Sequence, residues 1–274
     1  DHLWVDFTGT SPQCKGSIQP VFATTKAMVY AVMRSVIGGD IPNTAGYFRP
    51  VTVTAPEGTF VNPLPPAPVA ARNLGCIRIH QAVLGAFAQM LPDKIYACSG
   101  GCEFGVSMAG YDKTKNPWQP WIQIEFQNEC AVGALPFKDG ADGQGAGASN
   151  QSNIPIETME AEQPIVVEEY GFIQDTEGAG EFRGGMGTRR SYRYTQDDTL
   201  VQVRSDRMKF PPFGVNGGDD ALPTRIFFND DQQERSKFIE TVPAGTVLSV
   251  DMPGAGGWGN PLDRDPALVL DPYP

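Results

Sequence analysis

Asn153-Ile154-Pro155-Ile156-Glu157-Thr158-Met159-Glu160 opens the stretch whose reading decides this chain. Asp175-Thr176-Glu177-Gly178-Ala179-Gly180-Glu181-Phe182-Arg183-Gly184-Gly185-Met186-Gly187 closes it. Acidic residues and glycines crowd the two blocks, and Arg183 is the lone cation. Between the blocks lie Ile165, Val166, Val167, Tyr170, Phe172 and Ile173, which predict a buried or half-buried strand held between two irregular polar loops. Glycine lets a backbone take a positive φ or come close to another backbone, so loops this rich in it have a built shape. Arg183, alone among carboxylates, is expected to pair with one of them.

Before this stretch the chain reads as helical. Leu3 to Phe7 alternates as a strand and ends in the turn Thr8-Gly9-Thr10-Ser11-Pro12. A helix follows, capped by Thr24 or Thr25, with Met28, Val29, Val32, Met33 and Val36 as its apolar face and Gly38-Gly39 as its stop. Ile41 to Gly46 reads as a turn and Val51 to Thr54 as a strand. Asn62 to Pro68 is proline-rich and must be extended or irregular. A second helix runs from about Asn73 to Leu91, with Ile77, Val83, Leu84, Phe87, Ala88 and Leu91 apolar and Pro92 at its end. His80 on it reads as a structural residue before a ligand.

After Pro92 the helical pattern fades. Candidate strands are Phe104–Ala109, Trp121–Phe126, Ile165–Ile173, Arg189–Tyr194, Leu200–Val203, Arg225–Phe228 and Thr246–Val250. Gly217-Gly218 and the run Gly254-Ala255-Gly256-Gly257-Trp258-Gly259 read as further sharp turns, and Arg264 and Asp265 as ties for the tail. The class is α+β: two early helices, then a β-rich half with many Gly/Pro turns. The whole of residues 1–274 is expected to be one region, helical over about 1–100 and β-rich over about 101–274.

The composition narrows the functional classes. With 274 residues and 41% hydrophobic content the chain can bury a substantial core. A net charge of −11 and the absence of any Lys/Arg run argue against nucleic acid and anionic membrane as partners. The cysteines are Cys14, Cys76, Cys98, Cys102 and Cys130, an odd count that fits reduced thiols and a cytoplasmic location. Cys98 and Cys102 alone are a weak zinc signal. Two histidines, His2 and His80, cannot make a self-contained His-rich metal site, and neither adjoins a recognisable nucleophile.

The glycines of 178–187 do not fit a nucleotide loop. Strands flank them where a helix should follow, and Glu177 and Glu181 would repel phosphate. They read instead as a tight β-turn. The candidate site residues are Asp139, Asp142, Asn153, Glu157, Glu160 and Arg183. Their carboxylates can bind a hard cation or share a proton, but they read first as groups that cap turns and pair with Arg183, Arg189 or Arg190. Asp206 is expected to pair locally with Arg204 and Arg207.

Taken in order, the turn motifs resemble the hydantoinase B/oxoprolinase family. The resemblance rests on Asp6-Phe7-Thr8-Gly9-Thr10-Ser11, Ile41-Pro42-Asn43 with Gly46, and Pro65-Pro66-Ala67-Pro68-Val69. It continues through Asn153, Pro155, Glu157 and Glu160, the Gly178–Gly187 block, Pro211-Pro212 with Gly214, and Pro253-Gly254 through Asp265-Pro266. Gln19 stands where the family has Asn, and Cys130-Ala131-Val132-Gly133-Ala134 where it has a more Gly-rich run. The chain resembles the second half of a B-type subunit, and a His- and Asp-containing motif associated with the family's metal site would lie ahead of Asp1.

The resemblance implies a division of labour. ATP with Mg, and a transition metal, would belong to partner subunits, with no cofactor held by this chain. The partners would be a hydantoinase A-type ATP-binding subunit and the other half of the B-type subunit. The reaction would be carboxylation of a phosphorylated enol, as in a split ketone carboxylase of the acetophenone carboxylase type, with this chain as scaffold and interface. Two alternatives stay open: a fragment of an ATP-dependent hydantoinase or 5-oxoprolinase, and a non-catalytic structural subunit.

Overall fold

A computed structural model describes residues 2–101, 105–125, 131–145, 148 and 152–270. Cys102, Phe104, Phe126 and Cys130 lie outside the described residues. The chain divides into two compact units, Asp1–Ile95 and Tyr96–Pro274. The α+β class holds, and the second unit is mostly antiparallel strands.

In the first unit β1 (Leu3–Asp6) is followed by α1 (Phe22–Ile37) and the short α2 (Ala45–Phe48). β2 (Val51–Thr54) and α3 (Asn73–Met90) complete it. β1 and β2 pair in parallel, Leu3 opposite Val51 and Asp6 opposite Thr54. α1 packs on α3, burying Val29, Val32 and Met33 of one and Ile77, Leu84 and Phe87 of the other. Gly38 stops α1, its N–H bonded to the Arg34 carbonyl. The expected threonine cap is not used: Val21 occupies the cap position without a side-chain bond. Thr25 lies inside the helix, where its buried hydroxyl donates to the Val61 carbonyl at 2.7 Å and ties α1 to that loop. Gln19 is fully buried. Its amide accepts from Cys14 N and donates to the carbonyls of Cys14 and Pro68.

The second unit begins with β3 (Gly105–Asp112), β4 (Gln119–Glu125), α4 (Ile156–Glu162) and β5 (Ile165–Ile173). β6 (Gly187–Tyr194), β7 (Thr199–Arg204), β8 (Arg225–Phe228) and β9 (Asp231–Gln232) follow. β10 (Lys237–Val242), β11 (Val247–Asp251) and α5 (Pro266–Leu270) end it. The strands form a four-stranded sheet in the order β10-β7-β3-β4 and a five-stranded sheet in the order β5-β6-β11-β8-β9. Side chains of both sheets share one core: Val106, Met108, Val201, Val203 and Phe238 from the first, Ile165, Tyr192, Tyr194, Ile226, Leu248 and Val250 from the second. The unit is therefore a sandwich closed by inward-facing alternate residues.

Three expectations need correcting here. The polar block beginning at Asn153 is not all irregular: α4 forms there, with Glu157 favourably placed in its first turn and only Met159 buried. β5 is the edge strand of its sheet, so only Ile165 is buried and Tyr170 and Phe172 remain 43% and 57% exposed. The glycines of 178–187 do not make a tight turn: no turn is formed there, and their backbone bonds to distant segments such as Ala255 and Val132.

Those glycines serve close approach. A Cβ at Gly184 would fall 1.8 Å from the Ala255 carbonyl oxygen, and one at Gly256 would fall 2.0 Å from that of Phe213. Residues 254–259 run as a central thread bonded to threads on every side. Gly256 N donates to Cys98 O, and Ala134 N to Gly256 O. Gly178 N donates to Ala255 O, Phe182 and Trp258 exchange bonds, and Val215 N donates to Gly257 O. Backbone packs on backbone there, because the absent side chains leave room for interthread hydrogen bonds.

Candidate functional site

Two polar constellations of the second unit contain the candidate residues. The first is a clip around Arg183. Its guanidinium holds both oxygens of Asp142, at 3.0 and 3.2 Å, a bidentate pairing. Asp139 accepts from the backbone N of Arg183 at 2.9 Å and from both terminal nitrogens of Arg264 at 2.8 Å. Asp142 also accepts from Met186 N at 2.6 Å, and Arg264 reaches the carbonyls of Glu181 and Leu268. Arg183 is thus paired as its isolation among acids implied, and Arg264 does tie the tail. The clip fastens the loop of 139–142 to the glycine thread.

The structure brings Asp139, Asp142 and Arg183 together and places Glu157 and Glu160 on α4. Glu160 accepts from Val167 N at 2.8 Å, and Glu157 is exposed. Among the described residues no three His, Cys, Asp or Glu side chains group as a metal site. Cys98, fully buried, receives an N–H of Arg207 at 2.8 Å. Asp206 accepts from the backbone N of Arg207.

The second constellation was not foreseen. β4 faces Trp121, Gln123 and Glu125 into the core and leaves Ile122 and Ile124 outside. This reverses the usual polarity of a strand. Glu125 meets Arg190 of β6 at 2.9 Å, with each side chain no more than 2% exposed. Gln123 donates to the other Glu125 oxygen at 2.9 Å. Burial pushes the Glu125 carboxyl above its ordinary range, although Arg190 and the hydrogen bond from Gln123 draw it down. Arg190 also lies under the rings of Tyr170, at 4.9 Å, and Tyr192, at 5.5 Å. Asn153 donates its amide to the Tyr170 hydroxyl, and its Oδ1 is buried with no hydrogen-bond partner among the described residues.

A cleft of about 250 Å³ opens beside both constellations, lined by Asp142, Gly143, Tyr170, Gly171, Phe172 and Thr188. Strand pairing explains its walls: Tyr170 sits opposite Arg190 and Phe172 opposite Thr188, so all four face the same side of β5 and β6. The cleft is lined by two hydroxyls, two aromatic faces and one carboxylate already paired with Arg183, which suits a small planar molecule. Glu125, Tyr170 and Arg190 are far apart in sequence. The available signal was Arg190 itself, an arginine at an inward position of a strand that also carries Tyr192 and Tyr194.

The chain belongs to the Hydantoinase B/oxoprolinase family, which matches residues 1–261. It is 34% identical over 271 residues to an uncharacterized protein of Methanocaldococcus jannaschii, covering 97% of this chain and 46% of that one. It is 30% identical over 244 residues to the caprolactamase subunit beta of Pseudomonas jessenii, covering 84% and 41%. In the crystal structure of the ATP-dependent caprolactamase of that organism the matching fold has a TM-score of 0.77 at 24% identity, over 96% of this chain and 47% of the other. The nucleotide-free acetone carboxylase structure gives 0.81 at 16% identity, over 98% and 41%. The chain therefore spans less than half the length of each. Among the described residues no helix is long and apolar enough to cross a membrane.

Proposed function

We propose that this chain is part of a multi-subunit, ATP-dependent enzyme that carboxylates a ketone, and that it supplies scaffold, interface and one wall of the substrate site. Activation of the carbonyl by ATP takes place on a hydantoinase A-type partner, with Mg and a transition metal held outside this chain. One observation carries the scaffold role. Asp139 and Asp142 direct their oxygens at Arg183, Arg264 and backbone amides, which orders the glycine threads. The aromatic cleft of Tyr170 and Phe172 supports a planar substrate of the acetophenone class.

The second reading is ATP-dependent opening of a cyclic amide, favoured by the 30% identity to a caprolactamase subunit beta. The deciding experiment reconstitutes the chain with its A-type and remaining B-type partners. ATP hydrolysis is then followed with ketone plus bicarbonate, and separately with hydantoin, 5-oxoproline or caprolactam. Ketone- and bicarbonate-dependent ADP release is the expected result. Lactam-dependent release would replace the proposal with the second reading, and turnover by the isolated chain would remove the scaffold role altogether.

A further inference from the structure

The first unit carries a sheet that is unfinished on one side. Its two strands pair in parallel, and no further strand joins them among the described residues. Parallel pairing sends the backbone groups of alternate residues to opposite edges. Leu3 N and Phe7 N bond the Pro50 and Thr54 carbonyls toward β2, so Trp4 and Asp6 turn their backbone groups to the outer edge of β1. Parallel sheets are ordinarily covered and paired, and two strands alone are marginal in water.

Beside that edge runs an apolar groove of about 270 Å³, with Leu3, Val5 and Phe7 along one wall and Ala82, Ala86 and Met90 of α3 along the other. No residue of β2 lines it. The cover over the sheet is lopsided: Val51 and Val53 of β2 are buried, Leu3 and Val5 are only half-buried, and Met90 is 58% exposed. α3 thus extends past β1 on the open side, where a neighbouring strand would lie about 4.8 Å away.

We propose that this edge and groove seat one additional strand, supplied by the length of a B-type subunit that lies outside the region matched here. It pairs its backbone with Trp4 and Asp6 and sets alternate apolar side chains on Leu3, Val5, Ala82, Ala86 and Met90. The occupant follows from length. The chain spans 46% of the archaeal relative and 41% of the caprolactamase subunit beta, so more than half of each is available to supply it. A second copy of this chain is a poorer candidate, since each copy carries a net charge of −11 and Asp6 stands on the edge. The inference rests on the family assignment and not on which reaction the assembly performs.

Hydrogen exchange tests it, read by mass spectrometry on the chain by itself and in an assembly containing the remaining B-type length. The Trp4 and Asp6 amides should exchange quickly in the first and slow by about 100-fold in the second. Ala86→Trp fills the groove from a solvent-facing helix position. With far-UV circular dichroism unchanged, it should abolish that slowing and weaken assembly at least about tenfold. Assembly that leaves β1 exchange unchanged would overturn the proposal, as would Ala86→Trp without effect or protection that needs only a second copy, seen as a dimer on sedimentation. The readouts are exchange and mass, so a failed carboxylation assay leaves the proposal standing, and its failure leaves the reaction assignment standing.

Discussion

The sandwich and the glycine threads of the second unit are both cores, built from opposite materials. In the sandwich, Leu248, Val250, Val201 and Val203 exclude water with their side chains. In the threads, Gly178, Gly184, Gly256 and Gly257 exclude it by having none. A side-chain core tolerates exchange among residues of similar volume, because neighbours repack. A backbone core has no such freedom, since the atom an added Cβ meets is a carbonyl oxygen fixed in a hydrogen bond.

The sharpest way to break this comparison is a single methyl group. Gly184→Ala should cost at least about 5 kcal/mol and leave little folded protein. Gly171→Ala, on open β5 with nothing within 4 Å of the added atom, should be close to neutral. Denaturant midpoints and soluble yield of the two variants decide it. Equal tolerance would mean that the threads move apart easily.

The next largest effect lies where the sandwich departs from apolar packing. Arg190→Ala leaves Glu125 buried without its cation and should destabilise by about 3–5 kcal/mol. Replacing both by Met and Leu should recover most of the loss, measurable by the same denaturation. If the double variant is as unstable as the single one, the pair is not an isolated inclusion in a side-chain core.

The helical unit sharpens the contrast through pH. Burial lowers the His80 imidazole to about 4 from 6.5. Over that interval the unfolded chain takes up a proton that the folded chain refuses. Stability is therefore complete above about pH 6.5 and falls as pH drops toward 4, by about 3 kcal/mol in full. His80→Gln should flatten that part of the slope in chemical denaturation at pH 7 and pH 5. The smallest effect is expected at Tyr194, whose buried hydroxyl has no hydrogen-bond partner among the described residues. Tyr194→Phe should change stability by no more than about 0.5 kcal/mol, or raise it slightly.

What the sequence revealed follows the same division. Ile165–Ile173 and Arg225–Phe228 match their strands residue for residue, because apolar runs between turn residues specify strands locally. β10 was missed because its apolar pattern is broken: Phe238 and Val242 are buried, Glu240 between them is a half-exposed charge, and Ile239 is exposed. α4 was missed because a single residue of it is buried, although Pro155 and Glu157 are start signals. The glycines were visible, but whether a glycine makes a turn or a close contact depends on what approaches it from elsewhere in the chain. In the site, Arg183 could be matched to carboxylates by charge alone. The pairing of Glu125 with Arg190 could not, because the partners lie on strands of different sheets and meet only after both have formed.

The placement of the thread at 254–259 also sets an order of events. Segments around Cys98, Ala134, Gly178, Phe182 and Val215 all hydrogen-bond to it, and it follows every one of them in the sequence. Segments near residues 98, 134, 178 and 215 are made before it, so their bonds to residues 255–258 form only once that later stretch is available. The second unit therefore closes through contacts of long sequence separation, which form slowly. Without residues 254–259 the sandwich would keep its strands and its side-chain core, and lose the backbone bonds that gather the glycine segments.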